Sequence, residues 1–372
     1  MKVEIETIDD VLPHIREGSG IFVSRRQEWI VVDYDFMDNK TFETPMDLQF
    51  RGIKFDLNGK LIARPFHKFF NLGEKEGPLP PDWSHSHLIA DKLDGSMIHP
   101  AFLGERLVFM TRMGVTEQAE AALTVASDAV LKLCRDWMIK GFTPIFEFTS
   151  PDNRVVLKYD ETKLTLLAIR HMFSGEYLSE EEVQDIALSY KVPAIRHHGS
   201  IDNLDAFVSD TRAMEGIEGY VIVFSNGQRL KIKTEAYSLR HRALGYSHRE
   251  KNVLEWIVEN VVDDVIPLLL PERAEAVLAY QSLVLSSIGR LESEIVDFYE
   301  VHRKLKRKDF AMKAKASLNK ASVNAAFAML DGKSARATII GHLKWAAQRQ
   351  TRVDKIRPLY GLVWNANMGI EL

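Results

Sequence analysis

The chain has 372 residues, of which 46% are hydrophobic and 27% are charged. This is the composition of a globular protein, and the length favours two domains. The single cysteine, Cys134, excludes an intrachain disulfide, argues against a cysteine-based zinc site and fits a reducing cytoplasm. No apolar run approaches the roughly 20 residues of a membrane helix, and the N-terminus lacks the apolar core of a signal sequence. We therefore expect a cytoplasmic protein with no membrane segment.

The net charge of −4 conceals an uneven distribution along the chain. Between Val301 and Arg357 there are 15 Lys and Arg residues and 3 Asp residues, a net of +12, so the remainder carries −16. A basic segment on an acidic body predicts a polyanionic partner, RNA or DNA, bound at one end of the molecule. A solvated helical face is the simpler alternative.

The first 240 or so residues predict a mixed α and β domain. A helix is predicted from Glu117 to Lys140, with Gly141 as its C-terminal cap. A second helix begins at Ser179, where Glu182 completes a capping box. Short apolar runs separated by turn signals predict strands. These runs are residues 21–23, 29–32, 107–110, 155–157 and 164–167.

From about Ser247 the strand signals disappear and apolar residues recur at helical spacing. Pro271 fits the first turn of a helix. The recurring apolar residues are Val253, Leu254, Ile257, Val258, Ala276, Leu278, Leu283 and Leu285. We place a domain boundary near residue 245. The expected fold class is α+β, with a mixed domain at 1–245 and an all-helical domain at 246–372.

The most informative stretch of the sequence is Lys92-Leu93-Asp94-Gly95, which lies between two apolar runs. Three further segments follow in order: Phe146-Glu147-Phe148, Glu218-Gly219-Tyr220-Val221 and Lys231-Ile232-Lys233. This ordered set is what an enzyme needs if a lysine must attack the α-phosphate of a nucleotide. The attacking nitrogen must be neutral, whereas free lysine has a pKa of about 10.4. Nearby lysines and partial burial would lower the pKa of Lys92.

The last two segments predict a hairpin that carries an acid and two lysines on one face. Asn226-Gly227 is a strong signal for a two-residue turn. Opposed residues of a hairpin share a face, and side chains alternate along each strand. The expected register pairs Ile222 with Lys231 and Tyr220 with Lys233, with Glu218 on the same face. This face predicts a metal and phosphate site, and a surface ladder of salt bridges is the alternative.

With these motifs the chain resembles the covalent nucleotidyltransferase superfamily, which includes ATP-dependent ligases and capping enzymes. Within it, the chain is similar to the bacteriophage RNA ligase 1 family, the tRNA-repair ligases. The resemblance is also carried by residues 64–71, by residues 150–154, and by Lys231-Ile232-Lys233-Thr234 followed by Tyr237. It extends over the whole chain. It implies a nucleotidyltransferase domain of antiparallel sheets followed by a helical domain that binds RNA or tRNA.

The resemblance implies a role for each residue around the nucleophile. Lys92 is the adenylylated lysine, and Asp94 and Gly95 complete its motif. Glu147 lies near the nucleotide ribose or the metal, and Glu218 helps to bind a divalent metal.

The resemblance likewise implies which residues contact the phosphates and a second metal. Lys231 and Lys233 contact phosphates, and Arg51 and Lys68 correspond to an upstream basic pair on the triphosphate. Arg112 stands where the family has a lysine, and the two side chains differ in geometry. Tyr237, Asp263 and Asp264 match a cluster linked to a second metal position.

The implied activity is that of an ATP-dependent RNA ligase. Lys92 takes AMP from ATP, the AMP moves to an RNA 5′-phosphate, and a 3′-hydroxyl then attacks that activated end. The implied cofactors are ATP and Mg²⁺, with Mn²⁺ as an alternative metal. The implied partner is single-stranded RNA or a broken tRNA anticodon loop, in the host cytoplasm if the protein is phage-encoded. End healing would need a separate kinase or phosphatase.

Two other functions are weighed against this one. A DNA ligase or a GTP-using capping enzyme usually appends an oligonucleotide-binding barrel, which would show as strands after residue 233, where this chain has helical signals. A non-catalytic RNA-binding module could retain the old site as a scaffold, although every charged motif position is filled.

Several residues are set aside as structural. We expect His85, His87, His197 and His198 to be solvated loop residues, because they have no matching metal-ligand set. We expect Cys134 to be buried in a helix, and Trp83, Phe69 and Phe70 to pack in the core rather than stack on a base.

Overall fold

A computed structural model of the chain describes residues 2–35, 41–73 and 80–364. The chain divides into two compact units, Met1–Ser238 and Leu239–Leu372. This division falls a few residues before the boundary that the sequence indicates near residue 245. Each unit contains its own buried apolar clusters. Among the described residues, no helix has both the length and the apolar character needed to cross a bilayer.

The described residues of the first unit form three sheets. The first has the strand order β1-β2-β3-β4, the second β10-β9-β7-β8 and the third β11-β6-β12-β13-β5. Neighbouring strands pair antiparallel, apart from β13 and β5, which are parallel. The strands are β1 (Ile21–Arg25), β2 (Ile30–Tyr34), β3 (Ile53–Phe55), β4 (Leu61–Ala63), β5 (Phe70–Asn71), β6 (His87–Lys92), β7 (Ser96–Leu103), β8 (Arg106–Met110), β9 (Phe142–Thr149), β10 (Lys163–His171), β11 (His197–His198), β12 (Gly219–Phe224) and β13 (Arg229–Lys233).

Helices of the first unit pack against its sheets. In the second unit, all regular structure between residues 239 and 364 is helical. In the first unit the helices are α1 (Glu117–Val125), α2 (Asp128–Ile139), α3 (Glu180–Tyr190) and α4 (Leu204–Ala213), and α5 (Glu235–Ser247) crosses the division. The second unit continues with α6 (Glu250–Val258), α7 (Val262–Val265), α8 (Pro271–His302), α9 (Arg307–Ser317), α10 (Lys320–Leu330), α11 (Ala335–Ala347) and α12 (Gln350–Tyr360). The predicted α+β class, with antiparallel sheets followed by helices, is confirmed.

Two helix starts predicted from local signals are confirmed. Pro271 opens α8 as predicted, and the capping box of Ser179 and Glu182 opens α3. The apolar spacing of α6 is confirmed by the buried Val253, Leu254 and Ile257. On α8 it is only partly confirmed, because Leu278 and Leu285 are exposed.

The single helix predicted from Glu117 to Lys140 is wrong. The structure has α1 and α2, separated at Ala126, whose backbone is extended. The cause is Ser127, whose hydroxyl accepts a hydrogen bond from the Val130 backbone N–H and so caps a new helix. Gly141 follows α2 with φ of +83°, as a C-terminal cap requires.

The strand predicted at residues 155–157 is also wrong. These residues form bends, and the backbone N–H groups of Val156 and Leu157 donate to the Asp94 carboxylate at 2.8 and 2.6 Å. Their donors are therefore used by a side chain of the Lys92 motif and not by a neighbouring strand.

The predicted register of the hairpin is wrong by one residue. The loop has three residues, 225–227, with Gly227 at φ of +85° and the Phe224 N–H bonded to the Gln228 carbonyl at 3.0 Å. Such a loop needs a left-handed residue at its third position, which glycine supplies. As a result Val221 opposes Lys231 and Gly219 opposes Lys233.

Gly219→Ala is expected to destabilise the first unit by at least about 2 kcal/mol. Gly219 has φ of +141°, and an added Cβ would lie 2.0 Å from the Ile232 carbonyl oxygen. Urea unfolding of the whole chain measures the change. Gly199→Ala is the control, because a Cβ there meets no atom within 4 Å in the described structure. Equal stability of the two variants would contradict the assignment of strain to Gly219.

Candidate active site

A cavity of about 260 Å³ in the first unit is lined by residues from two of its sheets. Strands β6, β12 and β13 supply one wall, and β7, β9 and β10 contribute to the other. Six of the residues singled out in the sequence line it: Arg51, Lys92, Gly95, Glu147, Lys231 and Lys233. Segments far apart in the sequence are thus brought to one cavity, largely by strand pairing.

Strand register arranges the first wall in rows. In one row Gly219 lies between Lys92 and Lys233, and in the next Val221 lies between Ala90 and Lys231. The third row pairs Val223 with Arg229. Rows two residues apart are separated by about 6.6 Å. The wall therefore changes along the strands from two lysines, through a lysine beside apolar residues, to a single arginine.

The carboxylate of Glu218 lies between two of these lysines. Its Oε1 is 2.8 Å from Lys92 Nζ and 2.9 Å from Lys233 Nζ, and the side chain is only 3% exposed. The alternation of side chains between the two faces of the hairpin does not extend to Glu218, because the backbone of Gly219 has a positive φ. Sequence reasoning placed Lys92 opposite cations, whereas the structure places a buried anion between Lys92 and Lys233.

Lys231 is the lysine whose pKa is lowered by burial and by the neighbouring cations. Burial, followed by the charges of Lys68, Arg51 and Lys92, lowers the pKa of Lys231 to about 7. Its Nζ also lies 5.1 Å from the centroid of the Phe69 ring. Arg51 adds a buried Nη1 for which the described residues offer no hydrogen-bond acceptor. This end of the cavity has an excess of positive charge and would attract a polyphosphate.

Glu147 lies on β9 against the turn that follows Lys92. Its Oε1 accepts a hydrogen bond from the Gly95 N–H at 3.0 Å. Burial raises the pKa of Glu147 to about 7, although the nearby Lys92 opposes the shift. The site therefore contains a carboxyl group that changes its protonation near neutral pH.

Asp94 holds the Lys92 turn in place. Its Oδ1 accepts from the Tyr237 hydroxyl at 2.6 Å, and its Oδ2 accepts from two backbone N–H groups of residues 156 and 157. Its own N–H donates to the Tyr159 hydroxyl at 2.9 Å. Burial and the carboxylates of Glu218 and Asp94 raise the pKa of Tyr237 well above its ordinary value. Tyr237 is therefore a protonated donor that positions Asp94.

Lys68 and Arg112 meet at one aromatic ring, that of Tyr34. Lys68 Nζ is 5.5 Å from the ring centroid and the Arg112 guanidinium carbon is 4.1 Å from it. Arg112 Nε also donates to both oxygens of Asp33 at 2.9 Å. Arg112 is thus bound to Asp33, and its predicted phosphate contact stays a prediction.

The residues present fit a divalent cation of the magnesium type. Within residues 2–35, 41–73 and 80–364, no three His, Cys, Asp or Glu side chains converge as a protein-only metal site. Mg²⁺ usually binds through one or two carboxylates together with substrate phosphates, and Glu218 and Glu147 can supply those carboxylates. Asp263 and Asp264 lie on α7 of the second unit, and their role at a second metal stays a prediction.

The sequence interpretation of three histidines is wrong. His87 is the first residue of β6 and is only partly exposed. His197 and His198 form β11, which pairs with β6, and neither is a solvated loop residue. His198 Nε2 lies 2.7 Å from Asp91 Oδ1, and His197 Nε2 lies 2.8 Å from Glu180 Oε2. His85, by contrast, is exposed as expected.

Sequence reasoning missed the far end of the cavity. Glu180, His197 and Arg229 line it together with apolar side chains. The apolar lining of the cavity as a whole includes Phe66, Phe69, Met97, Leu167, Ile195 and Val223. Phe69 thus faces the cavity, and the expectation that Trp83 packs in the core is wrong, because its side chain is exposed. Phe70 and Cys134 are buried as expected. The only signal for these residues was that Phe66 and Phe69 belong to the segment 64–71.

The known proteins to which this chain is similar include several RNA ligases. A sequence model of the RNA ligase family matches residues 49–237, about half of the chain. A candidate RNA ligase of Thermovibrio ammonificans is 30% identical over 84% of this chain and 85% of its own length. RNA ligase 1 of bacteriophage TS2126 is 27% identical over 71% and 69% of the two chains. Among solved structures, an archaeal ATP-dependent RNA ligase aligns with a TM-score of 0.46 and 18% identity over 62% of each chain, less than two thirds of either.

Glu147→Gln is expected to change how stability depends on pH. Between about pH 4.5 and 7 the unfolded chain has released the Glu147 proton while the folded protein retains it, so folding loses stability as the pH rises. The amide removes this loss. We expect the variant to gain roughly 1 to 3 kcal/mol relative to the natural protein between about pH 5 and about pH 8.

Urea unfolding at the two pH values measures this gain. Glu161→Gln, at an exposed position before β10, is the matched control and should show none. A pH-independent difference between Glu147→Gln and the natural protein would contradict the raised pKa.

Proposed function

This chain belongs to the bacteriophage RNA ligase 1 family and is therefore an RNA ligase, and we propose that it uses ATP through a covalent AMP intermediate on Lys92. The family model matches residues 49–237, which include every residue that lines the cavity. The proposal assigns the nucleophile, the phosphate-binding side chains and the order of the chemical steps.

One observation carries the proposal: Lys92 lines a cavity together with cations that suit phosphates and a carboxylate, Glu147, that suits a metal. Lys231, Lys233 and Arg51 line the same cavity, and Glu218 bonds to both Lys92 and Lys233. A lysine held beside a polyphosphate site can act as a nucleophile on phosphorus. A surface ladder of salt bridges does not account for a carboxylate that is 3% exposed.

In the first step the Lys92 nitrogen attacks the α-phosphorus of ATP. A nitrogen–phosphorus bond forms, the bond to the pyrophosphate oxygen breaks and pyrophosphate leaves. The nitrogen needs its lone pair, so Lys92 gives up a proton and its contact with Glu218. Lys231, Lys233, Arg51 and Lys68 stabilise the charge on the phosphate oxygens, and positioning supplies most of the catalysis.

In the second step an oxygen of an RNA 5′-phosphate attacks the phosphorus of the adduct. The nitrogen–phosphorus bond breaks, and Lys92 takes up a proton again. In the third step an RNA 3′-hydroxyl attacks the activated 5′-phosphate, forming the phosphodiester and releasing AMP. A bound Mg²⁺ or Mn²⁺ would neutralise negative charge on the phosphates, and Glu218 and Glu147 are the carboxylates that would hold it.

The second unit is proposed to bind the RNA. Lys304, Lys306 and Lys308 are exposed around the junction of α8 and α9. Exposed lysines at this density suit a phosphate backbone, and such contacts release counterions. Arg307 also lies there, but its guanidinium is paired with Asp331 at 3.0 Å.

The substrate is proposed to be a broken tRNA, because the resemblance is to tRNA-repair ligases. A 5′-phosphate and a 3′-hydroxyl are the ends that this chemistry joins. Ends of other kinds would first need a kinase or phosphatase supplied by another protein. ATP and tRNA meet in the cytoplasm, which is where we place the reaction.

Lys92→Ala is expected to abolish labelling of the protein by α-labelled ATP. Natural protein, Lys92→Ala and the control Lys163→Ala, an exposed lysine at the start of β10, are incubated with magnesium and without RNA. The products are separated on a denaturing gel. Labelled natural protein and control, with an unlabelled Lys92→Ala, is the predicted result.

Three outcomes would contradict the proposal. Label on Lys92→Ala would place the adduct on another residue. No label on any protein with ATP, followed by tight RNA binding, would favour the non-catalytic module. Label from GTP alone would favour a capping-type enzyme.

Replacing Lys304, Lys306 and Lys308 together by Gln is expected to weaken RNA binding and leave adduct formation from ATP unchanged. If all three contact phosphates of single-stranded RNA, the slope of log K against log salt should flatten by about 2. Filter binding across a salt series measures the slope. Equal loss of RNA binding and of adduct formation would refute this division of labour between the two units.

A further inference from the structure

The end of the cavity away from the Lys92 row carries three polar side chains that the proposed chemistry does not use. Glu180 begins α3, His197 lies on β11 and Arg229 begins β13. Glu180 Oε1 lies 3.2 Å from Arg229 Nη2, and Glu180 Oε2 lies 2.8 Å from His197 Nε2. All three line the same cavity as Lys92.

Two of their atoms are buried but make no hydrogen bond. Glu180 Oε2 and His197 Nε2 are close enough for an ion pair, yet neither has a partner with hydrogen-bond geometry among the described residues. Buried polar atoms are nearly always hydrogen-bonded in native proteins. Their unused capacity at the cavity wall indicates a ligand with both a donor and an acceptor.

The neighbours of His197 determine which of its nitrogens carries the proton. The Gln184 side-chain N–H donates to the Ile195 carbonyl at 2.8 Å, which fixes the orientation of the amide. The same amide nitrogen lies 3.2 Å from His197 Nδ1, which must then accept. Neutral His197 therefore carries its proton on Nε2. The wall presents a carboxylate acceptor beside an imidazole donor.

The rest of the cavity fixes the orientation of a nucleotide. Lys92 and Lys233 form the row at one end, so the phosphates lie there. His197 pairs with Ala90, two residues before Lys92, and Arg229 pairs with Val223, four residues after Gly219, so both lie away from the Lys92 row. Apolar side chains of Leu167, Ile195 and Val223 line this region. A planar base fits between such walls, with its polar edge towards Glu180 and His197.

We infer that Glu180 and His197 read the base and select adenine against guanine. Glu180 accepts a hydrogen bond from the 6-amino group, and His197 Nε2–H donates to the ring nitrogen beside it. Guanine has a 6-oxo group, which would bring an oxygen against the Glu180 carboxylate. This inference rests on the proposed function, because it requires that ATP enters the Lys92 cavity.

Glu180→Gln tests the inference with little change of shape. Glutamine has a single side-chain oxygen, and the buried Arg229 guanidinium takes it. The amide NH₂ then faces the base, where it repels the adenine amino group and donates to the guanine oxygen. We expect the ratio of the rate constants for adduct formation from α-labelled ATP and GTP to fall by at least about tenfold.

Glu181→Gln is the matched control. It is the next residue in the same first turn of α3 and is exposed, so it should keep the ATP to GTP ratio of the natural protein. A purely structural role of Glu180 would lower the melting temperature and slow both nucleotides alike. An unchanged ratio in Glu180→Gln therefore overturns the inference.

A second measurement needs no substitution, and so it decides the question even if Glu180→Gln fails to fold. The natural protein is given purine riboside triphosphate, which lacks the 6-amino group. We expect adduct formation at least about tenfold slower than with ATP. Equal rates overturn base reading while leaving the Lys92 adduct established. No adduct with ATP, GTP or this analogue would refute the proposed function itself, and the inference with it.

Discussion

The shared carboxylate of Glu218 is the interaction on which the arrangement of the site depends. It lies within 2.9 Å of both Lys92 and Lys233, which belong to strands on either side of Gly219. Two ammonium groups brought this close would repel each other, and one buried anion between them offsets that repulsion. The contact also restrains the nucleophile, so catalysis must begin by exchanging it for contacts with the substrate. Removing one of these three side chains would leave a charge without its partner, so the site is stable only when all three are present.

The surrounding sheets place groups of different charge at the two ends of the cavity. Register across β6, β12 and β13 sets lysines at one end of the wall and Arg229 at the other. The opposite sheet contributes Glu147, whose pKa of about 7 reflects burial against the turn that Asp94 and Tyr237 hold. Charge thus decreases along the cavity from the phosphate end to the proposed base end. The fold positions each group by backbone pairing, which is why residues from remote segments can act on one nucleotide.

The sequence was sufficient for the order of the motifs, the α+β class and the change to helices, because these depend on local patterns. It was insufficient where one residue changes the outcome. The hairpin loop has three residues, 225–227, where a two-residue loop at Asn226-Gly227 was expected, and this difference shifts every pairing in the hairpin. Ser127 divides one expected helix into two. The run at 155–157 matched a strand in composition, but its backbone donors bind Asp94. Glu180 and His197 carry no local motif, since only tertiary pairing brings them to the cavity.

The most direct test of this account is an electron-density map of the protein crystallised after reaction with ATP and magnesium. The account predicts continuous density from Lys92 Nζ to a phosphorus atom, with the nucleotide in the cavity between the sheets. It also predicts that Glu218 has left Lys92 while it still contacts Lys233. An unmodified Lys92 that retains its contact with Glu218, with AMP bound elsewhere or joined to another residue, would contradict it.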